Sequence, residues 1–139
     1  MARTILLDTG PLVALLNARD RHHEWARSVA STLGPPFFTC EAVLAEACHL
    51  VRHLPGGIES VLAFVQKDLI RLPLRLEEEA TAIQKLILRY SNVPMSFADG
   101  CLVRLSEVIP QSIVFTVDSD FAVYRRNGRQ TIPTIVPRS

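Results

Sequence analysis

The feature that most limits what this chain can fold into is its hydrophobic pattern. Short apolar runs alternate with longer amphipathic segments along its whole length. Residues 4–7 form an apolar run that ends at Asp8-Thr9-Gly10-Pro11. Pro11 suits a first helical position, and Leu12, Val13, Leu15 and Leu16 carry that helix on. Asp20 is placed to cap a second helix containing Trp25, Val29 and Leu33, which Gly34-Pro35-Pro36 stops. The same pattern predicts helices over residues 41–53, 58–68, 77–90 and 96–108, with a final short one over 120–126. Strands are expected at 37–39, 70–72, 112–116 and 134–136. Such alternation means an α/β domain with a short, mostly parallel central sheet.

A length of 139 residues fits one domain spanning 1–139, large enough to carry its own core. Cys40, Cys48 and Cys101 are an odd number at scattered spacings, which argues against a disulfide framework and for a reducing, cytoplasmic setting. The longest apolar runs are five residues, so no membrane span is expected, and the N-terminus reaches Asp8 too soon for a signal-peptide core. A net charge of +1 supplies no global field for nucleic acid, so phosphate binding has to come from local clusters. Two exist: Arg19, Arg21, His22, His23 and Arg27, then Arg125, Arg126 and Arg129. Each follows an acid-bearing strand end and is placed to hold phosphates. Ordinary solvated helix faces account for the clusters equally well, and coding bias for the thirteen Arg against two Lys.

Four acids stand in unusual places. In open parallel sheets, ligands bind just beyond the carboxyl ends of the strands. Asp8 follows the first strand directly and Asp118 lies two residues past Thr116, so both reach one sheet edge. Read alone, either is equally a turn or cap residue. Glu46 sits three residues after Val43 and four before Leu50, bordering an apolar stripe. A carboxylate in that position needs a metal, donors or a cation such as Arg52 or Arg104. Ser96-Phe97-Ala98-Asp99 matches a capping box, yet Asp99 also lies toward the core edge between Leu102 and Val103. Carboxylates converging on one edge repel one another, and raised pKa values or divalent cations relieve that. Hard oxygen donors without thiolate or imidazole favour Mg2+ or Mn2+, and metal-assisted phosphodiester hydrolysis suits such a cluster.

These residues resemble the PIN-domain family, in particular VapC-type toxin ribonucleases of bacterial type II toxin–antitoxin pairs. The resemblance lies in Ile5-Leu6-Leu7-Asp8-Thr9-Gly10-Pro11-Leu12, Val43-Leu44-Ala45-Glu46, Ser96-Phe97-Ala98-Asp99-Gly100 and Phe115-Thr116-Val117-Asp118-Ser119-Asp120-Phe121. All four motifs occur in order and span almost the whole chain. The resemblance implies a three-layer α/β/α sandwich and a Mg2+- or Mn2+-dependent endoribonuclease. It implies dimerisation and inhibition by a cognate antitoxin. Asp8, Glu46, Asp99 and Asp118 would be the catalytic and metal-holding acids, and Thr9, Thr116 and Asp120 would support them, with Asp120 capping the next helix. Arg19, Arg21, Arg27, Arg125 and Arg126 would bind RNA, either a tRNA or another structured RNA with single-stranded loops. Gly10 departs from the Asn or Ser common in the family, a change expected to alter turn geometry. The apolar residues Ile58, Val61, Leu62, Phe64, Val65 and Leu69 suggest core packing or, with the second helix, a groove for an amphipathic antitoxin helix.

Rival chemistries fit less well. Asp8-Thr9-Gly10 is also the aspartic-protease triplet, but it occurs once, in a largely helical chain. His49 and His53 have a zinc-pair spacing without the glutamate of H-E-x-x-H. Asp118-x-Asp120 lacks the glycine and glutamate of a Ca2+ loop. A catalytically inactive PIN-like module that binds RNA or protein is the main alternative.

Overall fold

In the computed structural model, which describes residues 3–138, the first strand is the axis of the sheet. Strand β1 (Thr4–Leu7) buries Ile5, Leu6 and Leu7 in succession, as a central parallel strand covered on both faces must. Helix α1 (Thr9–Leu16) follows at once, capped by Asp8, whose Oδ1 accepts the Thr9 N–H at 2.8 Å. Then come α2 (His23–Leu33), β2 (Phe37–Phe38), α3 (Glu41–Leu50), α4 (Gly57–Gln66) and β3 (Ile70–Arg71). The second half adds α5 (Leu76–Arg89), α6 (Phe97–Val108), β4 (Ser112–Phe115), β5 (Arg125–Arg126), β6 (Gln130–Thr131) and β7 (Thr134–Ile135). A 3-10 turn at Ser119–Ala122 separates β4 from β5.

The main sheet has the order β3-β2-β1-β4-β7, with every pairing parallel. β1 and β4 run in register from Thr4 opposite Ser112 to Leu7 opposite Phe115. The pairing continues one step further through the Asp8 N–H to the Phe115 carbonyl at 3.0 Å, so the first acid leaves the sheet beside the end of β4. Helices cover the sheet in a three-layer α/β/α arrangement. Leu6, Leu12, Val43, Leu102, Val114 and Phe115 are sealed between the layers. Cys40 and Cys101 are buried among them as free thiols.

Three local expectations change. The last helix, expected over 120–126, is instead the 3-10 turn followed by a β5–β6 hairpin. Asn127 and Gly128 both take positive φ there (54° and 78°), the backbone that an Asn-Gly pair adopts easily in a tight hairpin. The third helix stops at Leu50, short of His53. His22, rather than Asp20, precedes the first turn of α2, and Asp20 Oδ1 accepts the His22 N–H at 2.8 Å. No described helix is long and apolar enough to cross a membrane.

Candidate active site

The parallel sheet brings the ends of β1 and β4 to one edge, and α3 and α6 add a side chain each. Asp8, Glu46, Asp99, Asp118 and Asp120 all line one cleft of about 570 Å3, together with Thr9, Asp20 and His22. No arginine or lysine lines it. Five elements or loops far apart in sequence thus supply acids to a cavity that has no arginine or lysine among its described lining.

Asp8 lies deepest. Its second oxygen, Oδ2, accepts the Thr116 hydroxyl at 2.6 Å, and that hydroxyl in turn accepts the Asp118 N–H at 2.9 Å. The chain Asp8–Thr116–Asp118 fixes two of the acids relative to each other. Burial raises the Asp8 carboxyl from 3.8 to about 6, against the pull of its Thr116 and Thr9 hydrogen bonds, and the charges of Asp99 and Asp118 add to the rise. Asp99 is half-buried and also raised, first by burial and further by Asp118.

Asp99 opens α6 through a full capping box. Its backbone N–H donates to Ser96 Oγ at 3.0 Å, and its Oδ2 accepts the Ser96 N–H at 3.2 Å. The buried Tyr124 adds a hydroxyl 3.2 Å from that same Oδ2 and 3.1 Å from the Pro94 carbonyl. Burial and the nearby Asp99 charge push the Tyr124 phenol well above its ordinary pKa, so it stays a neutral donor. The sequence gives no local signal for Tyr124, because it meets Asp99 only through the fold. Asp20, read from sequence as a cap alone, is a further acid on the cleft wall.

Glu46 differs from expectation. It faces the cleft but is exposed, and Leu50, assigned to the same apolar stripe, is 42% exposed. The buried face of α3 is Val43, Leu44 and Ala47, so Glu46 carries no desolvation cost that demands a partner. Arg104, proposed as that partner, instead pairs with Glu79 and, at 3.2 Å, with Glu107. Capping also changes hands in the fourth motif. Asp118 Oδ1 accepts the Asp120 N–H at 2.8 Å and caps the 3-10 turn, leaving the Asp120 side chain in the cleft.

Gly10 is explained by packing rather than by turn geometry. It lies inside α1, and a Cβ there would sit 2.3 Å from Val117 Cγ2. A side chain at this position would force Val117, beside Asp118, to shift.

None of the five arginines expected to hold RNA lines the cleft. Arg125 and Arg126 belong to a strand, not a helix. Arg125 donates to the carbonyls of Ala122, Val123 and Tyr124, at 2.7 to 3.1 Å. Arg126 donates to the Pro110 carbonyl at 2.9 Å, near the amino end of β4 and so on the edge away from the acids. Arg27 lines a separate apolar groove of about 560 Å3, walled by Leu12, Leu15, Phe37, Phe64 and Leu69 between α1–α2 and α4. Arg19 is exposed in the α1–α2 loop.

The donor set fits a hard divalent cation. The acids repel one another, no arginine or lysine among the described residues lines the cleft with them, and the buried Thr9 hydroxyl beside Asp8 has no hydrogen-bond partner among those residues. Among the described residues no three His, Cys, Asp or Glu side chains are gathered closely enough to hold an ion by themselves. Mg2+ suits that spacing, since it usually keeps several waters and takes one or two carboxylates directly. The exposed His49 and His53 have no third ligand among the described residues, so the zinc pair is not assembled.

Comparison with known proteins agrees with this architecture. A crystal structure of VapC20 from Mycobacterium tuberculosis, a Sarcin-Ricin loop cleaving toxin, superposes with a TM-score of 0.77. It shares 21% sequence identity, over 86% of this chain and 94% of that one, and the likeness establishes the fold. No curated protein matches the sequence. The family model described as PIN domain matches residues 5–127, a span that includes all the cleft acids and runs from β1 through β5. The chain belongs to the PIN-domain family.

Proposed function

We infer that the protein is a divalent-metal-dependent endoribonuclease and the toxin of a VapC-type toxin–antitoxin pair, working in the cytoplasm as a homodimer. The observation that carries this reading is the convergence of Asp8, Glu46, Asp99 and Asp118 on one cleft that no described arginine or lysine lines. A bound Mg2+ or Mn2+ would supply attraction for the scissile phosphate and lower the pKa of a water. Asp8 and Asp99 would be the primary holders, being the two carboxylates whose ionisation burial opposes. Thr116 orients Asp8 and keeps Asp118 in step with it. Tyr124 and Ser96 restrain one oxygen of Asp99, and Glu46, at the exposed rim of α3, completes the acid ring. A recessed acidic cleft requires an unpaired strand, so single-stranded or looped RNA is the substrate class.

The apolar groove supports the toxin reading. Its leucine and phenylalanine walls match the apolar face of an amphipathic helix, which an antitoxin would supply. RNA cleavage in Mg2+ or Mn2+, comparing the natural chain with Asp8→Asn and Asp99→Asn, tests the assignment. Cleavage that both substitutions abolish supports it. Equal cleavage by all three removes the site, and RNA binding with no cleavage at any metal concentration favours an inactive binding module.

A further inference from the structure

We propose that single-stranded RNA leaves the acid cleft across His22 and is held one strand further along the sheet edge by Arg21, Trp25 and Arg138. This rests on the ribonuclease reading and names the substrate surface of that same site. Because β1, β4 and β7 are adjacent and parallel, all three end at one edge. Asp8 follows β1 and Asp118 follows β4, while Val136-Pro137-Arg138 follow β7. The Thr116 N–H donates to the Ile135 carbonyl at 3.0 Å, so the segment after β7 starts alongside the residue that holds Asp8. Adjacent strands lie ~4.8 Å apart. Within that step the lining changes from acidic to basic.

A depression of about 530 Å3 lies there, lined by Arg21, His22, Trp25, Val136, Pro137 and Arg138, with no Asp or Glu side chain among the described residues. His22 lines both this depression and the acid cleft, so the two share a wall. The α1–α2 loop serves both. Asp20 faces the cleft and Arg21 the depression, and the Asp20 bond to the His22 N–H fixes the turn between them. Arg21 and Arg138 are exposed and form no ion pair among the described residues, unlike Arg104, which is committed to Glu79 and Glu107. Trp25 is half-buried and seated edge-on against Phe115, 5.2 Å between ring centroids, and against His22 at 6.1 Å. An indole lining one depression with two guanidiniums that form no ion pair among the described residues is the combination that single strands bind, phosphates on the arginines and a base on the ring. The acids repel every phosphate except the one drawn to the metal, so a neighbouring phosphate needs a cation just outside the cleft.

Trp25 is the chain's one tryptophan, so its emission reports on this surface alone. Binding of a short labelled single-stranded oligoribonucleotide is measured by anisotropy in Mg2+, with Asp8→Asn as the background to prevent cleavage. Trp25 emission is followed in the same titration. The inference expects emission to change with the same Kd as the anisotropy. It expects Arg21→Ala with Arg138→Ala to raise Kd about tenfold and to lower the salt slope by about 1.4. Arg71→Ala with Arg75→Ala, on exposed ion pairs elsewhere, is expected to leave Kd unchanged. An unchanged Kd and slope in the Arg21/Arg138 pair, with silent Trp25 emission, overturns the inference while cleavage by the natural chain keeps the ribonuclease reading. A natural chain that neither binds nor cuts RNA overturns both.

Discussion

Two cavities of nearly equal size, about 570 and 560 Å3, lie on either side of α1 and are built for opposite chemistry. They share walls one residue apart. Leu7 lines the apolar groove and Asp8 the acid cleft, Leu12 the groove and Val13 the cleft, His23 the groove and His22 the cleft. Size and position in the fold therefore do not decide what either holds; the residue at each step does. The groove gains stability by removing leucine and phenylalanine from water. The cleft loses stability by burying charge, which is the arrangement expected where a fold is strained for a ligand.

The largest expected effect tests that opposition at Asp8. Burial raises its pKa from 3.8 to about 6, so without metal the folded state favours the protonated carboxyl. The contribution of this group to stability is fully present below about pH 4 and lost as pH rises through about 6, an amount of about 3 kcal/mol at neutral pH. Asp8→Asn removes the charge while keeping the shape. In a chelator at pH 7 it is expected to unfold in urea with a stability up to about 3 kcal/mol above the natural chain, the gap closing by pH 4. The same substitution should reduce RNA cleavage by more than about a hundredfold, beyond the usual cost of losing a second-shell partner. Excess Mg2+ should stabilise the natural chain and leave Asp8→Asn unchanged. A natural chain whose stability is flat from pH 4 to 7 in chelator would break the comparison.

The groove should respond in the reverse sense. Phe64 lines it and is only half-buried in the chain alone. Phe64→Ala is expected to weaken binding of the cognate antitoxin by about 2 kcal/mol, read by calorimetry. Cleavage by the free chain should remain as it was, because no residue of α4 lines the cleft. If cleavage falls with binding, the two cavities are coupled through α1 and are not independent.

Tyr124 gives a smaller and more pointed effect. Tyr124→Phe keeps the ring packed against Tyr90 and Phe121 and deletes the hydroxyl near Asp99 and Pro94. Stability should fall by about 1 kcal/mol. Cleavage should fall about tenfold, with a shift in the Mg2+ concentration needed for half-maximal rate, the signature of a positioning residue. A stability loss without that metal shift would leave Tyr124 a packing residue only.

The order of elements up to β4, the parallel sheet and the meeting of Asp8 with Asp118 are legible because they follow from local periodicity and from where strands end. Glu46 was less so. Its spacing from Val43 and Leu50 suggested a buried border, but α3 stops at Leu50 and opens that flank to the cleft. The hairpin after Tyr124 carried its own Asn127-Gly128 signal, which the apolar spacing through Phe121 and Tyr124 disguised as helix. What Arg126 and Tyr124 touch is set by residues 16 and 25 positions away, and no local pattern encodes such contacts.

The smallest expected effect concerns Thr9, where the two cavities come closest in chemistry. Its Oγ1 is buried beside the cleft with no partner among the described residues, and a buried unpaired hydroxyl costs about 1–3 kcal/mol. Valine has the same branched shape and no hydroxyl. Thr9→Val is therefore expected to leave stability equal or raise it by about 1 kcal/mol in chelator, converting a fragment of cleft wall into groove-like wall. Cleavage is expected to fall if that hydroxyl donates to the phosphate or the water in the loaded cleft. Stability that drops on Thr9→Val would mean the hydroxyl is already satisfied within the fold, and Thr9 would then belong to α1's structure and not to the cleft's chemistry.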